Sequence, residues 1–145
     1  MANQISNQIK TTRVMNAVAA GTSDQNSSSV DMLDYEGVRF TILFGTIVSG
    51  AATSVKAGQS ANDSSFNDLL GSSQTVADDD DDKVFVVDIW RPIDRYVRCT
   101  VLRATQNSTV DGIIAEQYGP RVLPPTNDST VGGQEIHTSP AEGTA

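Results

Sequence analysis

VRFTILFGTI, residues 38–47, sets Val38, Phe40, Ile42 and Phe44 on one face of an extended chain and Arg39, Thr41 and Leu43 on the other. Side chains alternate across a strand with period two, so this run reads as a strand with one buried face. Beyond it, Gly50 marks a turn into TSVKAGQS, residues 53–60, a short strand-like piece. ANDSSFNDLLGSSQ follows, a polar loop or single helical turn plugged by Phe66, Leu69 and Leu70. KVFVVDIW, residues 83–90, is rich in β-branched and aromatic residues and is stopped by Pro92, and YVRCTVLRA, residues 96–104, begins after a short connection. That spacing predicts an antiparallel hairpin between the two. In the second run Val97, Cys99 and Val101 alternate with Arg98, Thr100 and Leu102, which assigns Cys99 to the core and Arg98 to solvent or a partner. VDGIIAEQYGP, residues 110–120, supplies a last strand, closed by Gly119 and Pro120. Strands at this spacing, with no helix-length apolar repeat between them, predict an all-β domain built as an antiparallel β-sandwich or jelly roll.

The flanks differ from this centre. Residues 1–29 carry Ile5, Ile9, Val14, Met15 and Val18 in a background of Asn, Gln, Thr and Ser and finish in the turn-prone GTSDQNSSS. They read as an N-terminal arm: one weak helix on the four-residue spacing of Ile5 with Ile9 and Val14 with Val18, or an extended segment that orders on a partner. Residues 30–121 form the sandwich body. Residues 122–145 hold Pro124, Pro125 and paired glycines with hardly any large apolar side chain, so they predict a flexible C-terminal tail, flexible alone or ordered by a partner.

Composition narrows the function. The chain has 145 residues, 38% of them hydrophobic, with 10 Lys and Arg against 18 Asp and Glu and a net charge of −8, a field that repels nucleic acid. A single cysteine excludes an internal disulfide and the cysteine clusters of structural zinc sites. The first twenty residues contain no continuous apolar segment of the export-signal kind, and no apolar run is long enough to cross a bilayer, so the expectation is a protein made in the cytosol with no membrane contact.

Candidate sites are few. The lone histidine, His137, sits in the tail, where nothing orients an imidazole as a base. Asp78 to Asp82 form an acidic run before Lys83, but it lacks the central Gly, alternating ligands and final Glu of a calcium loop, so it reads as a solvated loop. Arg91, Arg95, Arg98 and Arg103 cluster around residues 91–103 and suit bidentate contacts with carboxylates of a neighbouring subunit, although pairing with the acidic loop of their own chain or plain solvation ranks first. Trp90 and Tyr96 flank Pro92, and with Tyr118 they offer stacking residues for a sugar, although core or edge packing beside the turn ranks first for Trp90 and Tyr96. Glu36, Asp88 and Glu116 are carboxylates near strands, without the facing pair in a cleft that a glycosidase needs. No catalytic constellation, cofactor motif or metal site emerges, and the expectation is a binding protein, not an enzyme.

DYEGVRFTILFGTI, then DDDDDKVFVVDIWRP, then RYVRCTVLRATQNSTVDGIIAEQYGPR, spread over Met32 to Arg121, together resemble small capsid decoration or head-stabilisation proteins of tailed bacteriophages. The resemblance implies a virion protein on the outer capsid surface, made in the host cytoplasm, that binds the major capsid protein and bridges capsomers as a cement, with a body assembled as a dimer or trimer. It brings no catalytic residues. Ile5, Ile9 and Val14 are the expected anchors on the capsid or on sister subunits, with Arg91, Arg95 and Arg98 as further interface residues. A head-tail joining or tail-associated role stands beside this reading, and a carbohydrate-binding β-sandwich module is the alternative of another class.

Overall fold

The computed structural model describes residues 4–145. The segment of residues 38–47 lies within the longest strands of the molecule, and the rest of the fold is organised on it. In chain order the strands are β1 (Ile9–Met15), β2 (Val18–Gly21), β3 (Gln25–Asn26), β4 (Val30–Asp31), β5 (Gly37–Ile47), β6 (Ala52–Ser60), β7 (Asn67–Asp68), β8 (Gln74–Val76), β9 (Val84–Trp90), β10 (Tyr96–Ala104) and β11 (Ser108–Tyr118). All pairings are antiparallel. One sheet runs β1-β11-β5-β9 with β2 also on β11, and the other runs β3-β10-β6-β7 with β4 on β10 and β8 on β6. The fold is an all-β, two-sheet sandwich.

Alternation places the core between the sheets. Val38, Phe40, Ile42 and Phe44 of β5 are buried, and Val55 and Ala57 of β6, Val97, Cys99 and Val101 of β10 and Ile113 and Ala115 of β11 meet them. Phe44 packs edge-on to Phe85 with centroids 5.6 Å apart at 87°, the arrangement favoured by the ring quadrupole. Cys99 is fully buried. Burial pushes its thiol up to about 12, which leaves it an unreactive core side chain.

Two buried polar side chains tie the sheets together. Gln117 of β11 donates from Nε2 to the Asp31 carbonyl on β4 at 2.7 Å. Arg103 of β10 donates from Nε to the Ser23 carbonyl at 2.8 Å and from Nη1 to the carbonyls of Ala19 at 3.0 Å and Ser108 at 2.7 Å. Arg103 is therefore an internal clamp at one end of the sandwich, not part of an outward arginine cluster. Burial draws its pKa down from the ordinary value.

The structure corrects the sequence reading at two places. The runs expected to form a hairpin do not pair: β9 pairs with β5 in one sheet and β10 with β6 in the other. Arg91, directly after β9, takes a left-handed φ of 50° and donates its N–H to the Glu36 carbonyl. Pro92 follows, so the connection turns the chain across the core instead of back along β9. Strong β propensity identifies strands but not their neighbours.

The second correction concerns residues 1–29, of which the first three lie outside the described residues. No free arm is formed: β1 and β2 both pair with β11, β3 pairs with β10, and Val14 and Met15 are buried in the core. The apolar residues that looked too sparse for a helix suffice for an edge strand, because only the inward positions of a strand need them. A bulge between Arg13 and Met15 shifts the inward face, hiding the alternation from inspection. Gly112 on the facing strand holds a φ of 142°, and a Cβ there would lie 3.1 Å from the Met15 carbonyl oxygen.

Residues 122–145 contain no strand. Residues 127–130 nevertheless lie along β1: Asn127 Oδ1 accepts from the Thr11 N–H at 2.8 Å, Thr130 Oγ1 from the Arg13 N–H at 2.8 Å, and the Asp128 N–H donates to the Thr11 carbonyl at 3.2 Å.

Candidate interaction surface

Register alone gathers an apolar row across the outer face of the first sheet. Ile9 pairs with Tyr118, Tyr118 with Gly37 and Gly37 with Trp90, and directly opposed residues in a sheet point to the same side. Gly37 is the gap in that row, and Tyr118 fills it: a Cβ on Gly37 would lie 2.3 Å from the Tyr118 ring. The ring crosses the β5 backbone and stacks on Trp90, with centroids 5.9 Å apart and an interplanar angle of 11°. Its hydroxyl donates to Asp88 Oδ1 at 2.6 Å. Burial, and then the bond to Asp88, push the Tyr118 phenol up to about 12.

Beyond Tyr118 the surface continues into a groove of about 800 Å³ lined by Ile5, Ile9, Tyr118, Pro120, Leu123 and Pro124 among others. Ile5 is 63% exposed, Leu123 64% and Trp90 58%. Apolar side chains scattered singly over a surface are ordinary, whereas several of them joined into one surface mark a contact site. On the far side of Trp90, the Arg91 guanidinium lies 5.2 Å from the ring centroid, and its Nε donates to Glu36 Oε2 at 2.9 Å.

The expected interface residues are divided among different places. Ile5, on a single 3-10 turn of residues 5–7, and Ile9, on the outer face of β1, belong to the groove. Val14 is 3% exposed, so its apolar surface is already used in the core. Arg91 borders Trp90. Arg95 forms a two-pronged pair with Asp31, Nε to Oδ1 at 2.8 Å and Nη2 to Oδ2 at 2.7 Å. The Arg95 guanidinium holds the Asp31 carboxyl below the usual range. Arg98 covers the Phe66 ring at 4.1 Å. These arginines pair with the segment of residues 31–36 or with an aromatic ring, and not with the acidic loop. Within that loop Asp78 accepts from the Gly50 N–H, Asp81 from the Ile47 N–H and Asp80 from the Ala77 N–H and Lys83 Nζ. Its carboxylates fasten the loop to the end of β5 and the turn before β6, and among the described residues no group of three or more His, Cys, Asp or Glu is placed to hold a metal.

Trp90 does not meet Tyr96, the aromatic residue expected beside it across Pro92. Tyr96 lies on β10 in the other sheet, and the partner of Trp90 is Tyr118. Leu123 and Pro124, within the segment expected to be a flexible tail, line the groove. The available signal was Gly37, a glycine opening a strand rich in β-branched and aromatic residues, which marks a close approach by another group.

No known family model matches the sequence, and no curated protein matches it. Solved structures do resemble the fold. The PBSX exported protein XepA superposes with a TM-score of 0.54 at 12% identity over 95% of this chain and 46% of its own, so this chain spans just under half of XepA. The SPBc2 prophage-derived protein YomS gives 0.44 at 15% identity over 74% of this chain and 94% of its own. The VP2 subviral particle of infectious bursal disease virus gives 0.47 at 13% identity over 77% of this chain and 33% of its own. The likeness to XepA is one of fold.

Proposed function

We propose that this protein is a structural component of a tailed-phage virion, a decoration protein that docks on the outer capsid surface and reinforces contacts between capsomers. The observation that carries the reading is the joined apolar surface of Trp90, Tyr118, Ile5, Ile9, Leu123 and Pro124, a protein-contact surface on a small rigid body. The sequence motifs between Met32 and Arg121 and the fold shared with a phage-derived protein support it. A capsid lattice repeats one binding site many times, so modest affinity per copy still gives high occupancy and adds up over the shell.

The experiment is co-sedimentation of the purified protein with capsids assembled without it, followed by cryo-electron microscopy of the complex. Regular density on the shell, contacted through the Trp90 and Leu123 surface, is the expected result. Trp90→Ala and Leu123→Asp should each cut occupancy at least about tenfold, the scale of losing a contact residue worth more than 1.4 kcal/mol, with the circular dichroism spectrum unchanged. Absence of binding to shells with binding to isolated tails would replace decoration with a tail role, and binding to neither, with titratable glycan affinity, would end the virion reading.

A further inference from the structure

The two edges of the first sheet are treated differently. At one edge the outward N–H groups of Thr11 and Arg13 on β1 are occupied by Asn127 and Thr130 of the same chain. At the other edge β9 has no strand beyond it. Which of its backbone groups face outward follows from the bonds to β5. Phe44 N donates to the Lys83 carbonyl and Arg91 N to the Glu36 carbonyl. In an antiparallel ladder bonded pairs alternate, so residues 83, 85, 87, 89 and 91 turn towards β5, while Val84, Val86, Asp88 and Trp90 turn away. Of these outward groups only the Val86 carbonyl has a partner among the described residues, Gln74 Nε2 at 2.6 Å. An edge of this composition, VFVVDIW, has neither Pro nor Lys within it, and its one charge, Asp88, is engaged by the Tyr118 hydroxyl.

We infer that the β9 edge is a self-association site, at which β9 of a second copy pairs antiparallel about a two-fold axis and joins the two sheets into one. The β9 sequence can pair with itself in the antiparallel sense, and charge selects that orientation. A net charge of −8 on each chain opposes association, so pairing must oppose unlike charges locally. The acidic run of residues 78–82 lies before β9 and Arg91 lies after it, and neither Asp79 nor Asp82 has an ion pair among the described residues. Antiparallel pairing sets the acidic loop of each copy beside the end of the other that carries Arg91, itself paired with Glu36 of its own chain, whereas parallel pairing would set loop against loop. The outward groups then fix the register. Val84 opposite Trp90 and Val86 opposite Asp88 use all four outward residues, with the Val86 carbonyl exchanging its Gln74 donor for the Asp88 N–H of the other copy. A shift one way opposes Asp88 to Asp88, and a shift the other way leaves Trp90 against the loop at Asp82. In the favoured register exposed Val84 gains an aromatic cross-strand neighbour, a stabilising combination. The inference shares Trp90 with the proposed capsid-docking surface but does not depend on capsid binding, and it is tested without capsids.

Sedimentation equilibrium on the full chain should show twice the chain mass at high concentration, dissociating on dilution. Amide hydrogen exchange read residue by residue should show Val84, Val86, Asp88 and Trp90 protected more as concentration rises, with Phe85 and Val87 protected at every concentration. Val86→Pro removes an N–H that the β5 ladder does not use, and Val84→Glu sets a carboxylate opposite Trp90 on a residue that is 57% exposed in the single chain. Each should abolish the dimer, and Val84→Glu alone decides the matter should Val86→Pro fail to unfold cooperatively on heating. Ile93→Glu, off this edge and 91% exposed, should leave the dimer intact. A monomer up to the solubility limit, or a dimer in which the four outward amides exchange as fast as at low concentration, overturns the inference.

Discussion

Gly37 shows how much one side chain, or its absence, controls here. The Tyr118 ring lies where a Cβ would be, so Gly37→Ala must push the ring off Trp90. Overpacking of this kind costs about 1–3 kcal/mol, and tryptophan fluorescence should change together with the loss of stability. The Tyr118 phenol offers a separate test. Its pKa rises from the ordinary 10.0 to about 12 in the folded protein. A proton held more tightly in the folded state stabilises that state fully below pH 10, and the gain is lost as pH climbs from 10 towards about 12. Tyr118→Phe should flatten the stability profile across that alkaline window, read by denaturant melts at stepped pH; an unchanged slope would mean that the phenol is not raised in the folded protein.

Among the elements, β1 depends on a cover that contributes no strand of its own. Asn127 and Thr130 accept from two of the amides that β1 turns away from β11, and side-chain acceptors on an edge block pairing there without extending the sheet. The double variant Asn127→Ala, Thr130→Ala should raise hydrogen exchange at Thr11 and Arg13 several-fold while Thr12, bonded within the ladder to β11, stays protected. Its stability cost should be near 1 kcal/mol, because exposed hydrogen bonds are replaced by water. The contrast between this covered edge and the open β9 edge was invisible in the sequence, where residues 127–130 have the composition of a disordered tail.

Over the whole molecule, the connections β5 to β6, β9 to β10 and β10 to β11 all cross from one sheet to the other, so neither sheet can form alone from consecutive strands. Unfolding should therefore be a single cooperative transition. Arg103 reinforces this by holding the carbonyls of Ala19, Ser23 and Ser108 from a position on β10. Arg103→Met keeps the length of the side chain and leaves those acceptors without their donor, at about 1–3 kcal/mol for an unsatisfied buried group. Calorimetry should show one transition at a lower midpoint, and two separated transitions would mean the sheets fold independently.

The sequence by itself determined that the protein is all β, that β5, β6, β10 and β11 exist close to where they lie, and that Cys99 is a core residue. Those properties follow from alternation along one strand, which needs no knowledge of neighbours. Tertiary structure alone decided which strands pair, that residues 9–21 complete a sheet, that Val14 faces inward, and that Tyr118 rather than Tyr96 meets Trp90. Each of these depends on contacts between residues far apart in the chain. Burial rewards any strand that fills an open position on the sandwich, whatever its distance in sequence, and a pattern read along one strand carries no information about which position that is.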